Sequence, residues 1–140
     1  MSTLPAILHE QIAALLEAGD RLFERGNDDA ALAKYREAEA LLPSERERWE
    51  ASTLVLTAIG DTLFQKGDFA SAAEALLDAI DCVGGEENPF IHLRLGQCAF
   101  ELSELDGAIA SLRIAYELAG PDVFDDEDEK YQEFFRSRQN

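Results

Sequence analysis

Ala58-Ile59-Gly60-Asp61-Thr62-Leu63-Phe64-Gln65-Lys66-Gly67 and the following Asp68-Phe69-Ala70-Ser71-Ala72 decide the fold of this chain. The first stretch reads as a helix ending at Gly67, where glycine accepts the left-handed backbone without a steric cost. The second stretch opens a partner helix. Small residues at Gly60 and Ala72 let two helices approach closely, while Leu63 and Phe64 fill the space between them.

The same columns recur upstream and downstream. Aligned on Gly19, Gly60 and Gly96, the residue before the glycine is Ala18, Ile59 or Leu95. Three residues on stand Leu22, Leu63 and Ala99, and four on stand Phe23, Phe64 and Phe100. Gly26, Gly67 and Ser103 occupy the turn column, and Ala31, Ala72 and Ala108 the first small column of the partner helix. Tyr35, Leu76 and Leu112 follow at plus sixteen, then Ala38, Ala79 and Ala115. Pro43, Gly84 and Gly120 end the second helix of each pair.

The glycines are 41 and 36 residues apart. The longer interval holds Ser44-Glu45-Arg46-Glu47-Arg48-Trp49-Glu50, in which Ser44 and Glu47 form a capping-box pattern that predicts a longer third helix. Asn88-Pro89 starts the third pair with a capping residue and a proline at the first helical position. The pattern predicts an all-α fold of seven helices and no strand, near residues 5–26, 28–42, 45–66, 69–82, 89–102, 105–119 and 126–137. It places one domain over residues 1–140, with repeats near 12–45, 53–86 and 89–122. The last helix, near 126–137, is a cap. A stack of repeats otherwise exposes an apolar face at its end, and Phe124, Tyr131, Phe134 and Phe135 are the residues expected to cover it. The acidic run 125–129 precedes and opens that helix, where negative charge complements the positive end of the dipole.

Lys+Arg total 12 and Asp+Glu 29, a formal net charge of −17, and 46% of the residues are hydrophobic. Such a surface repels nucleic acid and anionic membranes and favours basic partners. Residues 1–14 carry no basic segment followed by a long apolar run, so no signal peptide is expected. No stretch approaches the roughly 20 apolar residues of a membrane helix. The expected location is cytoplasmic, with Cys82 and Cys98 as buried, reduced thiols.

Signatures of catalysis are absent from the sequence. The acidic run from Asp122 to Lys130 lacks the glycine and the terminal glutamate of a calcium loop. His9 and His92 have no neighbouring ligands, and no nucleophile triad, phosphate loop or zinc-binding helix motif is present. The sequence therefore predicts no enzyme, no metal and no cofactor.

The repeated columns resemble those of the tetratricopeptide-repeat (TPR) family over about 110 residues, with the three repeats in phase. The resemblance implies a superhelix in which the first helix of each pair lines a concave groove. Positions one and four beyond each anchor glycine then face the groove: Asp20 and Phe23, Asp61 and Phe64, Gln97 and Phe100. Glu24 and Glu101 follow two of the phenylalanines, and Leu16, Thr57 and Leu93 extend the stripe by a turn. Phenylalanine at helical spacing also suits a core or a cover by the N-terminal segment or the capping helix, but the adjacent column of Leu22, Leu63 and Ala99 already accounts for the core and favours the groove. Trp49 either staples the inserted turn or belongs to a binding edge. Ser103-Glu104 departs from the usual Gly-Asp/Asn, which predicts a tighter or differently aimed third turn.

Three stretches resemble a narrower group, small stand-alone bacterial three-repeat proteins. They are Trp49-Glu50-Ala51-Ser52-Thr53 leading to Ala58-Ile59-Gly60-Asp61, then Asn88-Pro89-Phe90-Ile91-His92-Leu93-Arg94-Leu95-Gly96, and Phe124-Asp125-Asp126-Glu127-Asp128-Glu129-Lys130-Tyr131. Some of that group are thought to be immunity proteins against secreted toxins. The resemblance implies a protein partner with a basic surface, either a toxin domain or a secreted client gripped as by a type III secretion chaperone. It implies neither nucleic acid nor membrane as a partner.

Overall fold

The computed structural model describes residues 4–139. Residues 1–3 and 140, at the ends of the expected domain and at the start of the stretch read for a leader, lie outside the described residues. Among the described residues there are seven α-helices and no strand: α1 (Ala6–Glu24), α2 (Asp28–Ala40), α3 (Glu50–Gln65), α4 (Phe69–Ile80), α5 (Pro89–Glu101), α6 (Leu105–Ala119) and α7 (Glu129–Ser137). Helices α1 to α6 form three pairs, α1 with α2, α3 with α4 and α5 with α6, and each pair stacks on the next through α2 on α3 and α4 on α5. Among the described residues no helix is long and apolar enough to cross a membrane.

The three anchor glycines set the spacing within each pair. A Cβ at Gly60 would lie 2.5 Å from Leu76 Cγ, one at Gly19 2.5 Å from Tyr35 Cε1, and one at Gly96 2.7 Å from Leu112 Cδ2. In each pair the obstacle is the residue at plus sixteen, so the two columns pack as one unit: a large side chain on one helix sits directly on bare backbone of the other.

The three turns within the pairs are the same turn. Gly26, Gly67 and Ser103 have φ of 77°, 84° and 63°. Each turn closes with a backbone bond back across it, Asn27 N to Leu22 O at 2.9 Å, Asp68 N to Leu63 O at 2.9 Å and Glu104 N to Ala99 O at 2.8 Å. The different turn expected at Ser103 is therefore not formed. The serine adopts the left-handed conformation at a steric cost glycine does not have. Glu104 also gives α6 no side-chain cap, whereas Asn27 and Asp68 cap α2 and α4.

The inserted segment does not lengthen the third helix. Glu45 is left-handed (φ 60°), a 3-10 turn spans Arg46–Arg48, and α3 starts only at Glu50. The capping box is replaced by tertiary bonds. Val83 N donates to Glu47 O, and Thr53 Oγ1 donates to Val83 O. Arg46 bridges Glu39 of α2 and Asp78 of α4, so the insertion ties two helical pairs together. Trp49 donates its indole N–H to Ser44 O at 3.3 Å, which closes the inserted turn on itself.

The C-terminal helix is shorter than expected as well. A 3-10 turn at Pro121–Phe124 precedes it, Asp128 caps it through Lys130 N, and the run from Asp125 to Glu127 stays outside it. The cap nevertheless covers the end of the stack. Phe124, Tyr131 and Phe135 are buried with Leu93, Leu112 and Ala115 in a cluster separate from the main core. Each fully buried aromatic or leucine there contributes about 1.5–3 kcal/mol. Phe134 is half-buried against the same cluster.

Candidate functional site

The α1–α3–α5 face carries the groove columns, and the C-terminal segment divides that face into a filled half and an open half. In the filled half Leu93 and Gln97 are buried. Tyr131 packs edge-on against Phe100 at 5.5 Å and lies 6.4 Å from Phe64, and Phe134 lies 5.0 Å from Phe100. Tyr131 donates its hydroxyl to Glu101 Oε2 at 2.6 Å, and Lys130 pairs with the same oxygen at 2.7 Å. Phe64 also meets Phe69 of α4, edge-on at 5.6 Å. Five of the expected groove residues, Phe64, Leu93, Gln97, Phe100 and Glu101, are thus engaged by the chain itself. Phe64 and Phe100 read as surface in the sequence because Tyr131, which packs against both, comes from outside the repeat.

Arg94 sits at the boundary between the halves. Its side chain is 8% exposed and lies between the rings of Phe64 and Phe90, at 4.6 and 4.7 Å. Its guanidinium donates to Asp61 Oδ1 at 2.8 Å, to Gln97 Oε1 at 2.6 Å and to Glu127. Gln97 donates to Glu127 Oε1 at 2.9 Å in turn. Burial opposes the charge on Arg94, but Asp61 and Glu127 outweigh it and hold its pKa above the ordinary value. The acidic run thus supplies a half-buried counter-ion in addition to a helix cap.

The open half is a cavity of about 310 Å³ lined by Leu16, Asp20, Thr53, Leu54, Thr57, Ala58, Asp61, Asn88 and Phe90. It brings together Leu16, Asp20, Thr57 and Asp61 of the expected set. Its floor is apolar, and Leu54 is 61% exposed. Asp20 accepts the Tyr35 hydroxyl at 2.5 Å. Burial first, and then Asp20, push the Tyr35 pKa up, so the phenol stays protonated and keeps donating. Phe23 is half-buried at the edge of the main core and Glu24 is exposed, both away from the cavity lining. Trp49 lies outside the cavity too.

Leu54 and Phe90 were not singled out by the sequence, although each stands six residues before its anchor glycine. The first repeat has Ala13 in that column, so the column is apolar throughout without repeating a large residue. Arg94, two before its anchor, has Ala58 and Glu17 as counterparts, so the repeat alignment gives it no distinction.

Among the described residues, no group of three or more His, Cys, Asp or Glu is arranged to hold a metal ion. His92 is buried and its Nε2 donates to Glu86 O at 2.8 Å, fixing the loop before α5. Cys82 and Cys98 are buried free thiols, and burial pushes the Cys98 pKa up to about 12, which leaves no thiolate at neutral pH. A second cavity, of about 370 Å³, opens between α6 and α7 beside Tyr116, Phe124 and Phe135.

Residues 57–123 match the tetratricopeptide repeat family. That span runs from within α3 to the turn after α6, and the first pair repeats the same glycine-to-plus-sixteen contact outside it. The described residues have the fold of a tetratricopeptide-repeat protein, and the family match covers most of its second and third pairs. No curated protein matches the sequence. A solved structure described as the first TPR of Spaghetti (RPAP3) bound to the HSP90 peptide SRMEEVD is similar, with a TM-score of 0.71 and 18% identity. The similarity covers 91% of this chain and 92% of that one, and at that identity it is a likeness of fold.

Proposed function

We propose that this chain is a non-enzymatic scaffold that binds another protein through the open half of the α1–α3–α5 face. The partner presents a basic surface or segment and is, most concretely, a bacterial toxin that the chain neutralises. The observation that carries the reading is the open cavity itself, an apolar floor edged by Asp20 and Asp61 with no cationic residue in its lining. The net charge of −17 supports a basic partner, because complementary charge speeds encounter and rejects wrong partners. The similar solved structure holds a peptide containing Glu-Glu-Val-Asp. The carboxylates of this cavity would repel such a peptide, so the partner differs in sign of charge. The toxin reading draws on the resemblance to small bacterial immunity proteins.

A second reading, a chaperone gripping a peptide segment of a secreted client, is favoured by the size of the opening. About 310 Å³ admits one or two side chains rather than a domain surface.

The test is to recover the partner by cross-linking in the native cell, purify it separately and titrate it against this chain. Toxicity of the partner is then measured with and without co-expression. A stable complex with restored growth supports the toxin reading. A complex that a short fragment of a harmless partner reproduces supports the chaperone. A partner that binds with unchanged affinity when Leu54, Thr57 and Asp20 are replaced removes the open half as the site.

A further inference from the structure

The two carboxylates of the open cavity are each held by one oxygen. Tyr35 donates to Asp20 Oδ1 at 2.5 Å, and Arg94 Nε donates to Asp61 Oδ1 at 2.8 Å. No hydrogen bond among the described residues engages Oδ2 of either, and both residues line the same cavity. Two carboxylates fixed in orientation by internal donors, each with an unused oxygen, form a preorganised acceptor for a cation, so little ordering entropy remains to be lost on binding.

We propose that this cavity takes one arginine side chain from an extended segment of the partner. The proposal rests on the protein-binding reading above and specifies its ligand. The alkyl stem of the arginine lies along Leu16, Leu54 and Ala58, and its guanidinium reaches the free oxygens of Asp20 and Asp61. Arginine fits better than lysine because a planar fork with five donors can bridge two fixed acceptors and also stack on a ring, here Phe90. The chain displays the same chemistry next door, where Arg94 lies between the rings of Phe64 and Phe90 and bonds to Asp61 and Glu127. The solvent-exposed Leu54 supplies the apolar wall that an aliphatic stem covers.

The experiment is a titration of the full chain, followed by amide chemical shifts, with the peptide acetyl-Ala-Leu-Arg-Leu-Ala-amide. A citrulline peptide keeps the shape without the charge, and a glutamate peptide reverses it. The expected result is perturbation concentrated at Leu16, Asp20, Leu54, Ala58 and Phe90. Citrulline should weaken binding by about tenfold or more, the loss of a charge-assisted bidentate contact. Asp20→Asn still accepts the Tyr35 hydroxyl, so it should keep the melting temperature while weakening the arginine peptide several-fold. Leu54→Ala, at an exposed position, checks the stem contact without touching the core. Equal affinity for arginine and citrulline, or shifts centred elsewhere, would overturn the arginine site. Those outcomes leave protein binding by the purified partner as a separate question. Conversely, a peptide that binds as expected while the partner ignores Asp20→Asn would sink the functional reading and leave the arginine site standing.

Discussion

Arg94 Nε lies 2.8 Å from Asp61 Oδ1, which joins α5 to α3 at the line where the filled half of the groove meets the open half. Because Asp61 restrains a buried guanidinium, replacing it tests stability and binding together. Removing the cation itself leaves Asp61, Gln97 and Glu127 without their common donor. Arg94→Ala should therefore lower the unfolding free energy by about 3–5 kcal/mol, the usual result of breaking a buried pair. Urea unfolding checks this, and a loss below about 1 kcal/mol would mean that water replaces the guanidinium freely.

The close approach at Gly60 predicts the opposite outcome from an open glycine. Gly60→Ala places a methyl against Leu76 and should cost about 1–3 kcal/mol by overpacking. At Gly107, in α6, a Cβ meets nothing within 4 Å. Gly107→Ala should stabilise by about 0.5–1 kcal/mol through helix propensity. Thermal melts of the two variants, run side by side, distinguish packing from propensity. A stabilised Gly60→Ala would show that the helix pair can separate at no cost.

Ser103 holds a left-handed conformation that its counterparts Gly26 and Gly67 adopt as glycines. Ser103→Gly should raise stability by up to about 1 kcal/mol, since the steric cost of the left-handed region is removed and part of the gain is lost to the freer unfolded chain. An unchanged or lowered melting temperature would show that the serine side chain contributes an interaction of its own.

Glu101 joins the groove column to the C-terminal cap. Partial burial raises its pKa, but the bonds from Lys130 and Tyr131 outweigh this and hold it below the ordinary value. A carboxylate with a depressed folded pKa contributes stability that is complete above its unfolded value. That contribution is lost as pH falls through the folded value. Tyr131→Phe should therefore destabilise the protein at neutral pH by about 1–2 kcal/mol, and the gap to the parent should narrow below about pH 4. Melting curves from pH 3 to 7 read this directly. A gap that stays constant through the acid range would place the role of Tyr131 in its ring rather than its hydroxyl.

The helix pairs were legible because each repeat states its own packing. Gly60 and Leu76, or Gly19 and Tyr35, are sixteen residues apart in one continuous stretch, and the contact they make needs nothing from outside it. The inserted turn was misread for the complementary reason. Ser44 and Glu47 form a valid local capping pattern, but Arg46, Glu47 and Thr53 find partners at Glu39, Asp78 and Val83, and those bonds favour a short 3-10 turn over an extended helix.

By itself the sequence determined the all-helical repeat, its pairing and its acidic charge, because periodic columns and short-range glycine contacts are local properties of the chain. The tertiary structure alone decided which groove residues stay open. Tyr131 and Glu127 arrive from some 30 residues beyond the columns they cover, bonding Glu101 and Arg94. Their coverage follows from where the chain ends its stack, which no repeat pattern encodes. The apolar end of the last pair had to be buried, and the segment that buries it also fills the adjoining half of the groove. What remains open is the stretch between α1 and α3, where no segment of the described chain reaches Leu54 and the free oxygens of Asp20 and Asp61.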